Sequence, residues 1–130
     1  MKCRISKQFD FDAAHWLPMV APEHKCHRMH GHTYRVEIIC EGELDRRGMV
    51  CDYSEIAAVW EPMHKVLDHH VLNEIEGLAN PTTEWLCAWI WERVRHSLTR
   101  AVCIKVYESA TTWCERWKPT SRLEDGTHTP

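Results

Sequence analysis

The sequence predicts an α+β fold: a four-stranded antiparallel sheet with two helices on one face, in the order ββααββ. Three observations predict it. Apolar and polar residues alternate with period two over 3–15, 32–43 and 101–108. They recur at helical spacing over 53–67 and 83–95. Strands and helices come in separate runs, the pattern of α+β rather than of alternating α/β units.

In the first segment Cys3, Ile5, Phe9 and Phe11 share one parity and Arg4, Ser6, Gln8 and Asp10 the other, which is a half-buried strand. Residues 16–31 hold Pro18, Pro22 and Gly31 without a period, and read as a loop. In the second strand Tyr34, Val36, Ile38 and Cys40 face one way, and strict alternation slips at Ile39. Asp45-Arg46-Arg47-Gly48 reads as a turn. Asp52 with Glu55 has the form of a capping box. It opens a helix from about Tyr53 to Leu67, striped by Ile56, Val59, Trp60, Met63, Val66 and Leu67. Pro62 inside it predicts a kink. Asn80-Pro81-Thr82-Thr83 opens a second helix to Arg95, with Trp85, Leu86, Trp89, Ile90 and Val94 on one stripe and Trp91 off it. These tryptophans read as core and interface filling rather than a ligand box. Ala101–Glu108 is the third strand and 112–117 the fourth. Residues 1–118 make one domain, and 119–130, rich in Thr, Ser, Gly and charge, read as a disordered tail. A sheet of this size leaves two edges, and a homo-oligomer that pairs them is expected.

A chain of 130 residues buries a core without staples. The net charge of −3 comes with no basic block, so nucleic acid and anionic membrane are not expected partners. No apolar run approaches the ~20 residues of a bilayer span, and Met1–Lys7 leads into no apolar signal core, so a cytoplasmic protein is expected. Seven scattered cysteines, an odd number, read as reduced thiols rather than a disulfide framework. Of ten histidines, five fall between His15 and His32, a density that points to a metal.

His30 and His32 are two apart on an extended segment, so both imidazoles face one side. Gly31 between them lets the backbone approach closely. His15 ends the neighbouring strand. Three neutral imidazoles with an open position describe a catalytic zinc site. Cys26, four residues before His30, either closes that site as a fourth ligand or stands free as a thiolate activated by the nearby cation. Spacing leaves both open. The domain does not need a metal to fold, which favours the open site. Asp68-His69 is a carboxylate beside an imidazole, suited to proton transfer. Glu108 ends an otherwise apolar strand, where a carboxylate can accept two donors from an amidine-like edge.

Phe11-Asp12-Ala13-Ala14-His15, the run from Cys26 to His30-Gly31-His32, Leu67-Asp68-His69-His70-Val71-Leu72-Asn73, Asn80-Pro81-Thr82-Thr83-Glu84 and Glu108 follow one another in order. Together they resemble the 6-pyruvoyl-tetrahydropterin synthase family, most closely its bacterial 6-carboxy-5,6,7,8-tetrahydropterin synthases of queuosine biosynthesis. The resemblance implies the tunnelling fold, with subunits joined edge to edge into a barrel, usually a hexamer built as a dimer of trimers. It implies zinc (Zn2+) on His15, His30 and His32, Cys26 as proton acceptor, Asp68 and His69 as a proton relay, and Glu108 holding the pterin and joining the relay. Thr82 and Thr83 match positions near the pterin at a subunit interface. The short gap from Cys26 to His30 matches the carboxy-forming branch. Trp113, Trp117 and the tail depart from its short bacterial forms. The implied reaction converts 7,8-dihydroneopterin triphosphate to 6-carboxy-5,6,7,8-tetrahydropterin, acetaldehyde and triphosphate. The alternatives are triphosphate elimination without acetaldehyde, as in 6-pyruvoyl-tetrahydropterin synthases, an aldolase-like cleavage of the pterin side chain, and a non-enzymatic zinc-stabilised domain.

Overall fold

Alternation becomes sheet where the sequence predicts it. The computed structural model describes residues 1–119. Strands β1 (Lys2–His15), β2 (His30–Glu43), β3 (Ala101–Tyr107) and β4 (Trp113–Trp117) form one antiparallel sheet in the order β1-β2-β3-β4. Helices α1 (Tyr53–Leu67) and α2 (Thr83–Ser97) enter between β2 and β3, and short 3-10 turns cover Lys25–His27 and Leu72–Glu74. The tail expectation for 119–130 falls outside the described residues beyond Pro119.

One face of the sheet makes the core. Phe11, Tyr34, Val36, Ile38, Ile104 and Val106 point inward and pack with Ile56, Trp60, Leu67, Leu86 and Ile90 of the helices. The slip at Ile39 is a register shift in the β2–β3 pairing between Ile39 and Cys40. Around it Ile38, Ile39 and Cys40 are all buried, as expected where a bulge breaks strict alternation. The capping box on α1 is formed in both directions between Asp52 and Glu55, and α1 runs on through Pro62 to Leu67.

Four boundary or burial expectations change. β2 starts at His30, because the loop closes two residues earlier than its composition suggests. α2 begins at Thr83 as expected, with the Thr82 hydroxyl accepting the Trp85 N–H as its cap, but runs past Arg95 to Ser97. β3 ends at Tyr107, so Glu108 lies just past the strand. The stripes are also displaced: Val66 and Trp85 are 42% and 59% exposed, whereas Trp91 is buried at 4%. α2 has a broad buried face, because the sheet covers one side and Trp89 packs under the Gly77 turn, its indole N–H donating to the Glu76 carbonyl (3.1 Å). A single stripe therefore understates what this helix buries. All seven cysteines are free thiols, and four of them are buried. Among the described residues no helix is long and apolar enough to cross a membrane.

Candidate functional site

Strand pairing assembles a histidine trio. β1 and β2 pair so that His15 stands opposite His30 and Ala13 opposite His32. The candidate ligand atoms of His15, His30 and His32 all lie within 4.8 Å of one another. His15 Nδ1 is 2.9 Å from the Pro81 carbonyl oxygen and His30 Nδ1 is 2.8 Å from that of Arg28. A carbonyl only accepts, so both Nδ1 atoms carry the proton and both Nε2 atoms present lone pairs. Those two Nε2 atoms are 3.0 Å apart, a repulsive arrangement unless a cation lies between them. His32 Nε2 is buried without a hydrogen-bond partner, and Glu108 Oε1 is 3.6 Å away, beyond hydrogen-bond range. Burial lowers the pKa of His15 and of His32, which favours the neutral form of both rings. Three converging imidazole acceptors, two of them oriented by outer carbonyls, are a donor set suited to a transition-metal ion.

A Cβ added at Gly31 would stand 3.4 Å from the Ala13 carbonyl oxygen. That is ordinary contact, so crowding does not demand glycine there.

The carboxylate–imidazole pair sits beside this trio. Asp68 is the C-cap of α1, and the next residue, His69, takes a left-handed backbone with φ 58°. Asp68 Oδ2 is 2.8 Å from His69 Nδ1, and Asp68 Oδ1 accepts the Asp12 backbone N–H at 2.9 Å. The Asp12 N–H, and then His69, hold the Asp68 carboxyl below its usual range. Donating its ring N–H to the Asp68 carboxylate raises the pKa of His69. His32, His69, Asp12 and Thr33 line one open cleft of about 530 Å³.

The remaining residues of interest approach from α2 and the first loop. Thr83 Oγ1 donates to Glu108 Oε2 at 3.0 Å, so the start of α2 fixes the carboxylate that faces His32. Thr82 is spent on the helix cap. Cys26 lies half-buried in the Lys25–His27 turn, outside the group of converging ligand atoms. Its carbonyl accepts from Leu17 N–H (2.8 Å) and its N–H donates to His24 Nδ1 (3.0 Å). The structure thus gathers His15, His30, His32, Glu108 and Thr83, and His69 shares with His32 the lining of one cleft. Residue types gave no signal for the Pro81 and Arg28 carbonyls, since any residue offers one.

The sequence pattern of the 6-pyruvoyl tetrahydropterin synthase family matches residues 4–119. The chain belongs to this family. A dihydroneopterin monophosphate aldolase of Pyrococcus furiosus is 40% identical over 105 residues, 81% of this chain and 86% of its own. The 6-carboxy-5,6,7,8-tetrahydropterin synthase of Synechocystis sp. is 34% identical over 122 residues, 88% of this chain and 93% of its own. That of Bacillus subtilis is 31% identical over 123 residues, covering 85% and 82%. The solved 6-pyruvoyl tetrahydropterin synthase of Caenorhabditis elegans superposes with a TM-score of 0.84 at 20% identity, over 92% of this chain and 97% of that one. The subunit therefore has the tunnelling fold of the 6-pyruvoyl tetrahydropterin synthase family.

Proposed function

We propose that this chain is a zinc-dependent 6-carboxy-5,6,7,8-tetrahydropterin synthase acting on 7,8-dihydroneopterin triphosphate in queuosine or related deazapurine biosynthesis in the cytoplasm. The observation that carries the reading is the convergence of three imidazole acceptors on one point, with one of them, His32, lining a cleft that His69 of the carboxylate–imidazole pair also lines. Relatives named for this reaction, at 34% and 31% identity over most of the chain, support the branch.

When bound by His15, His30 and His32, zinc supplies Lewis acidity toward the side-chain hydroxyls, easing loss of their carbon-bound protons. Glu108 accepts the donors of the pterin's aminopyrimidine edge, with Thr83 holding its second oxygen. Thr82 keeps the start of α2 in place beside the pterin. The Cys26 thiolate takes a carbon-bound proton. His69, oriented by Asp68, returns protons as triphosphate leaves and the carbon–carbon bond breaks. Each such group is worth about 10²- to 10⁴-fold. The reaction balances with one water: the side-chain carbon next to the ring ends as the carboxyl, the other two leave as acetaldehyde, and the pterin ring takes up the electrons. No outside reductant is required.

The active form is proposed to be a homo-oligomer, a dimer of trimers with active sites at subunit interfaces. The exposed Trp113 and Trp117 on the edge strand β4 fit such a contact.

A second reading, an aldolase, is favoured by the 40% identity to the Pyrococcus furiosus protein. One experiment separates the readings: zinc-loaded protein is incubated with the triphosphate and, separately, with the monophosphate of 7,8-dihydroneopterin. Acetaldehyde with 6-carboxytetrahydropterin is expected. A hydroxymethyl pterin with a glycolaldehyde-type fragment would establish the aldolase instead, and triphosphate without acetaldehyde the pyruvoyl-forming reaction. Cys26→Ala is expected to keep zinc and the oligomer while losing turnover. Loss of zinc with unfolding would make Cys26 a structural ligand.

A further inference from the structure

An aromatic floor lies under the histidine trio. Tyr34 is fully buried, and its ring stacks on Phe11 with centroids 4.9 Å apart and planes at 10°. The rings of His15 and His32 stand nearly perpendicular to it, at 6.0 Å and 89° and at 5.4 Å and 75°. Strand β2 sets this contact, because Tyr34 follows His30 and His32 at period two and so faces the same side of the sheet. The Tyr34 hydroxyl oxygen is 3.3 Å from His15 Nδ1. That nitrogen already donates to the Pro81 carbonyl at 2.9 Å, so the hydroxyl oxygen accepts the second branch of a shared N–H. With the hydroxyl donating instead, the Nδ1 lone pair would face the Pro81 carbonyl oxygen. The ring proton would then sit on Nε2, the atom that faces His30. Among the described residues His15 is the only hydrogen-bond partner of this hydroxyl.

For the fold alone, phenylalanine would serve at this position. It would keep the stack on Phe11 and both contacts with the imidazoles. It would not bury a hydroxyl whose own hydrogen finds no acceptor, an arrangement that disfavours the folded state. The hydroxyl matters to a cation on His15 Nε2. A bound cation draws charge from the imidazole and makes Nδ1–H a stronger donor, so the bonds to both outer oxygens strengthen. We propose that Tyr34 is a positioning residue of the metal site. Its hydroxyl shares the His15 Nδ1–H with the Pro81 carbonyl, which fixes the tautomer and orientation of His15 and tightens metal binding without stabilising the metal-free fold. This inference rests on the reading of His15, His30 and His32 as metal ligands. It does not depend on Asp68, His69 or the reaction catalysed.

The test is Tyr34→Phe in the full chain, read in two ways. Zinc affinity is measured by competition with a chromophoric chelator, and thermal unfolding of the zinc-free protein is followed by circular dichroism. The variant is expected to bind zinc about tenfold more weakly than the parent, the lower end of what loss of an outer partner costs. Its zinc-free form is expected to unfold at the parent's temperature or above it. A tyrosine that only fills the core predicts the opposite pair, unchanged affinity and a lower midpoint. An affinity within about threefold of the parent overturns the proposal. So does a zinc-free midpoint lower by more than about 5 °C, or a variant that does not fold, since the hydroxyl would then be supporting the core. A parent that binds no zinc overturns the metal site itself and the proposal with it.

Discussion

His69 is held in the left-handed region, which few residues other than glycine adopt and in which asparagine, aspartate and histidine are enriched. Its φ of 58° is stabilised by the Asp12 carbonyl on its N–H and by Asp68 on its ring. Because Asp68 raises the His69 pKa, the imidazolium persists above the ordinary range near about 6.5. A step that uses His69 as proton donor is then lost as pH rises through this elevated pKa. Asp68→Asn removes the principal cause, so the basic limb of the pH–rate profile should move to lower pH, with kcat reduced. A limb that stays in place would exclude His69 as the donor. At the trio, His32→Ala removes a nitrogen with no other partner. It should weaken zinc binding by more than the about 10- to 100-fold that loss of an outer partner costs, while the fold stays intact by circular dichroism.

The elements show how far local pattern reaches. The period of β1 and the capping box of α1 were legible because each depends on neighbours in the chain. Asp52→Ala should lower stability by about 1 kcal/mol in a urea titration through loss of that cap. The exposed Trp85 and the buried Trp91 were not legible, because which side of α2 is covered depends on the sheet and on the Gly77 turn. β4 carries the assembly prediction. Glu108 N–H bonds to Thr112 and Lys118 N–H to Val102 (3.0 and 2.8 Å), so by alternation the N–H groups of Trp113, Glu115 and Trp117 face the open edge. Proline is tolerated at such a position but cannot donate to another strand. Glu115→Pro should therefore leave the subunit folded and lower the assembly mass measured by light scattering. An unchanged mass would exclude this edge as the interface.

For the molecule as a whole, the core lies between helices and sheet while the candidate metal-binding trio lies at one end of the sheet. Chelation should therefore abolish turnover and leave the thermal unfolding transition cooperative. Unfolding on chelation would mark a structural metal. The fold class, the order of elements and the residue types able to bind a metal and move protons were legible in the chain alone, since periodicity, caps and side-chain chemistry are local properties. Whether Cys26 joins the three histidines shows the limit of that information. Which donors converge was set by folding: register placed His15 against His30, and the carbonyls of Pro81 and Arg28 turned both Nε2 atoms inward. Folding also decided that a ladder on the outer edge of β1 lays residues 68–73 along Asp12–Trp16. Pairing between distant segments depends on backbone geometry that carries no residue-type signature.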